Sequence, residues 1–232
     1  MKTHDFILVN ADTDSISFSK KDGSKFSDAE QDYLLDELNS IFPKKIRFES
    51  EGVFSKVIVL AAKNYILYDG KKTKIKGSAL KDSKKEIAIR EFTSKIIESL
   101  LHDRNDFNEI YNEYIKEIYN IKEIKRWSSK KTITEKVLTS ERTNETKIFD
   151  AIAGTDYKSG DKCYMFFKTD CSLCLAENFT GDYNPSKLLE KLYKSTKVFA
   201  PVLNVADLFI NYALKRNRDN LNNIINPDKK AC

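Results

Sequence analysis

Residues 5–19, DFILVNADTDSISFS, constrain this chain more than any other stretch. Phe6, Ile7, Leu8 and Val9 form an apolar run that predicts one strand. Ile16 and Phe18 alternate with Ser15, Ser17 and Ser19, which predicts a second, half-buried strand. Asp12-Thr13-Asp14 lies between them. Aspartate is depleted inside strands and favoured in turns, so the stretch reads as a β-hairpin with two carboxylates at its tip. The second Asp sets like charges close together, and a cation between them relieves the repulsion. Mg²⁺ takes carboxylate oxygens together with substrate phosphates. The hairpin therefore offers half of a metal site suited to phosphoryl transfer. A plain acidic turn is the competing reading, and the rest of the chain has to decide between them.

The chain has 232 residues, enough for one large domain or two small ones. Its 41% hydrophobic content supports a core, and 32% charged residues makes a water-exposed surface. The net charge of +5 is compatible with an anionic partner. No apolar run approaches the roughly 18 residues of a membrane span, and MKTHDF has no signal-peptide core. Cys163, Cys171 and Cys174 cluster while Cys232 is terminal, too sparse for a disulfide scaffold, so a reducing, cytoplasmic setting is expected.

Along the chain, Ser27-Asp28-Ala29-Glu30 fits a capping box, followed by Leu34, Leu35, Leu38 and Ile41 at helical spacing and closed by Pro43. Residues 46–52 alternate as a strand. Residues 54–62 read as a buried strand, 64–68 as the next, Asp69-Gly70 as a hairpin turn, and 73–77 as the returning strand. From Lys81 the character turns helical. Helices are expected over 83–102, 106–121, 143–153, from Pro185 to about Phe199, and over 204–215. Trp127-Ser128-Ser129 reads as a break, and 132–138 as an ambiguous element. A small strand pair is expected at 162–168 and 173–177. The fold class is α+β: an antiparallel β portion with a packed helix over residues 1–80, then a mainly helical part with a small β element over 81–232.

Several of these residues resemble a known family. Asp12-Thr13-Asp14-Ser15 is similar to the third polymerase motif of family B DNA polymerases, an Asp-Thr-Asp-Ser at a hairpin tip. The strands RFESEGVF, VIVLAAKNYILYDGKK and TKIKG resemble the family's next strands in order. Lys63 and Tyr65 match a Lys-x-Tyr element that lies along the primer–template minor groove, and Lys74, Lys76 and Gly77 match the strand just before the thumb. Ser159-Gly160-Asp161-Lys162 and the segment from Glu177 to Val202 resemble later family segments. Asn10-Ala11 stands where the family usually has Tyr-Gly, and Ala61-Ala62 thins the usual lysine run before Lys63.

The resemblance implies that residues 1–80 are the C-terminal part of a polymerase palm and 81–232 its thumb. It implies Asp14 as the stronger metal ligand and Asp12 as an adjusting carboxylate, for two Mg²⁺ ions shared with a partner chain. Lys63, Tyr65, Lys74, Lys76 and Gly77 would line primer–template DNA, with a dNTP as co-substrate. The family's first and second motifs and its exonuclease are absent from this sequence. The expectation is a C-terminal portion of such a polymerase, viral or phage sources included, inert alone and needing a polypeptide that carries the exonuclease, fingers and remaining palm.

Other readings compete. Solvated surface lysines would explain Lys63, Lys74 and Lys76 in a chain with 40 Lys plus Arg. Lys84, Lys85, Lys130 and Lys131 read as ordinary surface charges or as duplex contacts. Cys171-Ser-Leu-Cys174 has the spacing of half a zinc knuckle, with Cys163 as a third thiol, but a closed site takes four ligands, and packed thiols are the default. Tyr111, Tyr114, Tyr119 and Trp127 read as core. A sugar-nucleotide transferase would need a parallel sheet ahead of its DxD. A non-catalytic DNA-binding or processivity module derived from a palm and thumb is the alternative function.

Overall fold

The structure, a computed structural model, describes residues 6–139 and 143–205, with side chains of the helix that begins at Thr143 described from Lys147 onward. It is α+β, built from antiparallel sheets and several helices. The chain divides into two compact units, Met1–Ser78 and Ala79–Cys232. Asp5, His4, Cys232 and nearly all of the helix expected over 204–215 lie outside the described residues.

In the first unit, β1 (Phe6–Ala11) and β2 (Ile16–Lys20) form a two-stranded antiparallel hairpin. The register runs Phe6↔Lys20, Ile7↔Ser19 and Leu8↔Phe18, slips by one residue, and resumes at Asn10↔Ser17 and Ala11↔Ile16. Val9 is therefore a bulge, which no apolar pattern announces. Helix α1 (Asp28–Ile41) starts at the expected capping box: the Ser27 hydroxyl accepts from the Glu30 N–H, and the Glu30 carboxylate accepts from the Ser27 N–H. Lys20, at the end of β2, bridges to the same Glu30 carboxylate at 2.7 Å, and Phe26 packs edge-on to Phe6. The helix is thereby tied to the hairpin at its first turn. It contributes no fully buried residue: Leu34, Leu35 and Leu38 are half-buried and Ile41 is exposed. A hairpin of two strands is too narrow to cover a helix face.

Residues 46–52 are not a strand, contrary to the alternation. The Asn39 side-chain amide takes both backbone groups of Phe48: its Oδ1 accepts the N–H at 2.7 Å, and its Nδ2 donates to the carbonyl at 3.1 Å. Ile46 N–H bonds to the Pro43 carbonyl. These backbone groups are satisfied without a ladder. Three strands then form a second sheet in the order β3 (Lys56–Ala61), β4 (Asn64–Tyr68), β5 (Thr73–Lys76). Only Leu60 of β3 is fully buried, so the strand expected to be buried is mostly half-covered. The central strand holds the core, with Tyr65, Ile66 and Leu67 all buried.

The single turn α2 (Ser78–Lys81) carries the chain from the last residue of the first unit into the second, which continues with α3 (Ile87–Leu101) and α4 (Phe107–Ile118). Phe92, Tyr111, Tyr114 and Trp127 are fully buried; Phe92 meets both tyrosine rings, and Tyr114 meets Trp127 edge-on. The core reading of these aromatics holds, while Tyr119 is exposed. A short 3₁₀ turn, Ile124–Trp127, leads into β6 (Ser129–Thr132), a strand that the sequence pattern does not show. Its residues Ser-Lys-Lys-Thr carry no apolar alternation, and pairing with β7 makes it a strand. After α5 (Glu135–Leu138) and α6 (Thr143–Ile152), β7 (Lys162–Phe167) and β8 (Leu173–Leu175) complete the sheet β6-β7-β8. Ile133, Val137, Ile152, Cys163, Met165 and Leu175 form its own core cluster. Helix α7 (Pro185–Thr196) buries Leu188, Leu189 and Leu192. Lys191 on α7 reaches Glu86 at 2.5 Å and the Ser129 hydroxyl at 2.9 Å, tying the starts of α3 and β6 to α7. Among the described residues, no helix is long and apolar enough to cross a membrane.

The Glu30 carboxyl is held at about 2, from an ordinary 4.5, by the Lys20 hydrogen bond first and by the Ser27 N–H and hydroxyl after it. Its folded value lies below the unfolded one, so its stabilising contribution is present above 4.5 and lost as the pH falls through about 2. A side-chain NMR titration should place the Glu30 midpoint near 2, and Ser27→Ala should move it upward.

Candidate functional site

The hairpin tip begins where Ala11 pairs with Ile16. Asp12 N–H donates to the Ser15 carbonyl at 2.8 Å, which closes the turn. One Asp12 carboxylate oxygen, Oδ1, accepts the Thr13 N–H at 2.8 Å and its hydroxyl at 3.4 Å. That leaves Asp12 oriented with Oδ2 uncommitted. Asp14 is exposed, and among the described residues its carboxylate makes no hydrogen bond or ion pair. No Lys or Arg among them neutralises either aspartate. The Val9 bulge sits three residues before Asp12. Such a bulge sharpens local twist and re-aims the residues beyond it. The tip thus presents two carboxylates that no cation among the described residues compensates. Among the described residues, no cluster of three or more His, Cys, Asp or Glu could hold a metal ion. By donor chemistry the aspartate pair could hold a divalent cation only together with further ligands.

The lysine set lies on the second sheet. Tyr65 pairs with Lys76 and Leu67 with Lys74, so both lysines rise from the β5 edge on one sheet face. Both are exposed. Lys63 occupies the two-residue turn between β3 and β4, exposed, at φ +62°. Tyr65 is only 5% exposed and offers little ring to a ligand. Gly77 has φ +105°, and a Cβ there would lie 2.8 Å from the Asn64 Cα and run into Lys63 O and Asn64 Oδ1 as well. Only glycine lets the end of β5 close against the Lys63–Asn64 turn. Gly77 therefore fixes where Lys63 is presented. Sequence reasoning missed Glu51, whose carboxylate bonds Lys74 Nζ at 2.7 Å. No local pattern links residues so far apart in the chain.

In the second unit, Lys84, Lys130 and Lys131 are exposed, while Lys85 donates to the Ala79 carbonyl. A shallow groove carries Arg90, Lys95 and Arg126 beside the Tyr114 ring. Its charges are largely answered: Lys95 pairs with Glu113, and Arg126 pairs with Glu91 and Glu117. Of the cysteines, Cys163 is buried, which pushes its thiol pKa up, Cys171 is disulfide-bonded, and Cys174 is a half-buried free thiol.

No protein-family model matches the chain, and no curated protein matches it. Among solved structures, it is similar to the family B DNA polymerase from the hyperthermophilic archaeon Pyrobaculum calidifontis. The TM-score is 0.62 over 86% of this chain, at 17% identity. The chain spans 27% of that polymerase's length. At this identity the likeness shows the fold alone.

Gly77→Ala should cost about 1–3 kcal/mol, from a positive φ and overpacking combined. Chemical denaturation reads the loss. Chemical-shift changes at Lys63 and Asn64, with little change at the hairpin tip, would locate it.

Proposed function

We propose that the chain is the C-terminal palm and thumb portion of a family B DNA-directed DNA polymerase, with the palm portion in residues 1–80 and the thumb in 81–232. One observation carries the reading: an Asp-Thr-Asp hairpin tip that no cation among the described residues compensates, within a fold like that of a family B DNA polymerase. Asp14 is the main ligand for catalytic Mg²⁺, because both its oxygens are uncommitted. Asp12, with one oxygen held by Thr13, orients and adds charge. Mg²⁺ held by Asp14 and Asp12 would supply Lewis-acid chemistry for nucleotidyl transfer from a dNTP to a primer 3′-hydroxyl. Lys63 and Lys76 neutralise backbone phosphates of the primer–template duplex, with Lys74 beside them, and set its register without reading sequence. Tyr65 and Gly77 act through the sheet, as packing and as the close approach that presents Lys63.

Two carboxylates make an incomplete two-ion site, so a further polypeptide bearing the exonuclease, fingers and remaining palm completes it. The exposed hairpin supports that partner. Ile7 and Leu8 on β1 are 46% and 58% exposed, and among the described residues β1 and β2 pair only with each other. A two-stranded sheet with apolar exposure is marginal alone and gains from a neighbouring strand.

The test is primer extension with Mg²⁺, using this chain mixed with a polypeptide carrying the remaining polymerase motifs. Asp14→Asn should lower nucleotide incorporation by at least about a hundredfold, the scale of several kcal/mol of lost metal assistance, while duplex binding persists. Unchanged incorporation by Asp14→Asn would overturn the catalytic assignment. Salt-sensitive duplex binding with no incorporation by any mixture would favour the non-catalytic DNA-binding module.

A further inference from the structure

Lys74 is not a free cation. Its Nζ lies 2.7 Å from a Glu51 carboxylate oxygen, and both side chains face water, at 44% and 59% exposure. An exposed pair of this kind is worth little as a stabiliser, so its stability value does not explain the way the chain builds it. Glu51 sits in an irregular segment pinned at two points. Upstream, the Asn39 amide grips both backbone groups of Phe48. Downstream, the Ser55 N–H donates to the Tyr68 carbonyl at 2.7 Å, and its hydroxyl to the same oxygen at 3.0 Å. Between them Gly52 turns at φ +124°, a conformation that glycine adopts without strain. The segment is shaped to lay one carboxylate against β5. Lys76, two residues along on the same face, also acts on it: the Glu51 carboxyl is held below its usual range by the Lys74 hydrogen bond and charge first, with Lys76 contributing less.

We infer that Glu51 is a built-in competitor for Lys74, an intramolecular carboxylate occupying the position that a backbone phosphate of bound nucleic acid would take. The inference rests on the reading of β5 as a duplex-facing strand. A phosphate approaching Lys74 must displace Glu51 and then tolerate its freed negative charge. The competitor weakens binding without removing the lysine, and it keeps β5 from holding duplex too tightly for the protein to move along it. Because the pair is exposed and screened, the effect is modest. Removing the carboxylate should tighten binding about two- to fivefold, the span of typical exposed pairs. It should also add close to one phosphate contact to the salt dependence, steepening the slope of log affinity against log salt by about 0.9.

The experiment is fluorescence anisotropy of a labelled primer–template duplex with the full chain, titrated at several salt concentrations. The variants are Glu51→Gln, Lys74→Ala and the double mutant. The expected result is tighter binding and a steeper slope for Glu51→Gln, weaker binding for Lys74→Ala, and loss of the Glu51→Gln gain in the Lys74→Ala background. If Lys74→Ala weakens binding but Glu51→Gln changes neither affinity nor slope, the competitor role is wrong and the duplex-facing strand stands. If Glu51→Gln tightens binding equally in both backgrounds, the carboxylate acts as general field alone, and the pairing with Lys74 is irrelevant. If neither variant alters binding, β5 does not face the duplex, and the inference falls with that reading.

Discussion

The hairpin tip places two carboxylates on one short turn and gives neither a counter-charge from the described residues. In water two unit charges about 4 Å apart repel by roughly 1 kcal/mol, so an exposed turn can carry the pair without unfolding. The same exposure suits a divalent cation, because it keeps their oxygens accessible, whereas a paired lysine would cancel their charge. The surrounding elements serve that arrangement. The Val9 bulge re-aims the approach to the tip, Lys20 is diverted to Glu30 and away from the aspartates, and the capping box fixes α1 behind the hairpin.

The lysine sheet obeys a different logic. Lys74 and Lys76 are exposed on the edge strand β5, where lysine also blocks unwanted strand pairing, Lys63 lies in the β3–β4 turn, and Glu51 tempers Lys74. The close approach of Gly77 makes the turn bearing Lys63 part of the same rigid sheet. The second unit is organised by burial instead. Interlocked aromatic rings of α3 and α4 and the Glu86–Lys191–Ser129 cluster hold helices and strand together. Glu86 is buried, and burial pushes its carboxyl pKa up. The charge and hydrogen bond of Lys191, together with hydrogen bonds from the Ser129 hydroxyl and the backbone, outweigh that and hold it below its usual range.

Local signals were the legible ones. Ser27 and Glu30 announce α1, Asp69-Gly70 announces the β4–β5 turn, Pro185 announces α7, and Asp12-Thr13-Asp14 between apolar runs announces the tip. Alternation over 46–52 mimicked a strand because period-two patterning does not say whether a neighbour exists to complete the ladder, and Asn39 took that place. The β6 strand was hidden for the opposite reason, since its pairing is real and its residues are polar. Gly77 was legible as a residue of interest, but the reason for it lies in a backbone approach from Asn64. The Glu51–Lys74 pair joins a loop to a strand that meet only once the sheet has formed.

The functional reading stands on the Asp12–Asp14 tip being a metal-binding half-site. Its sharpest test is paramagnetic broadening by Mn²⁺ in the NMR spectrum of the isotope-labelled chain, with primer–template duplex present. A half-site at the tip requires selective loss of the Thr13, Asp14 and Ser15 amide signals at low Mn²⁺, abolished by Asp14→Asn. Broadening confined to other acidic surfaces, such as Asp28, Asp32 and Asp36 on α1, with the tip untouched, would contradict it.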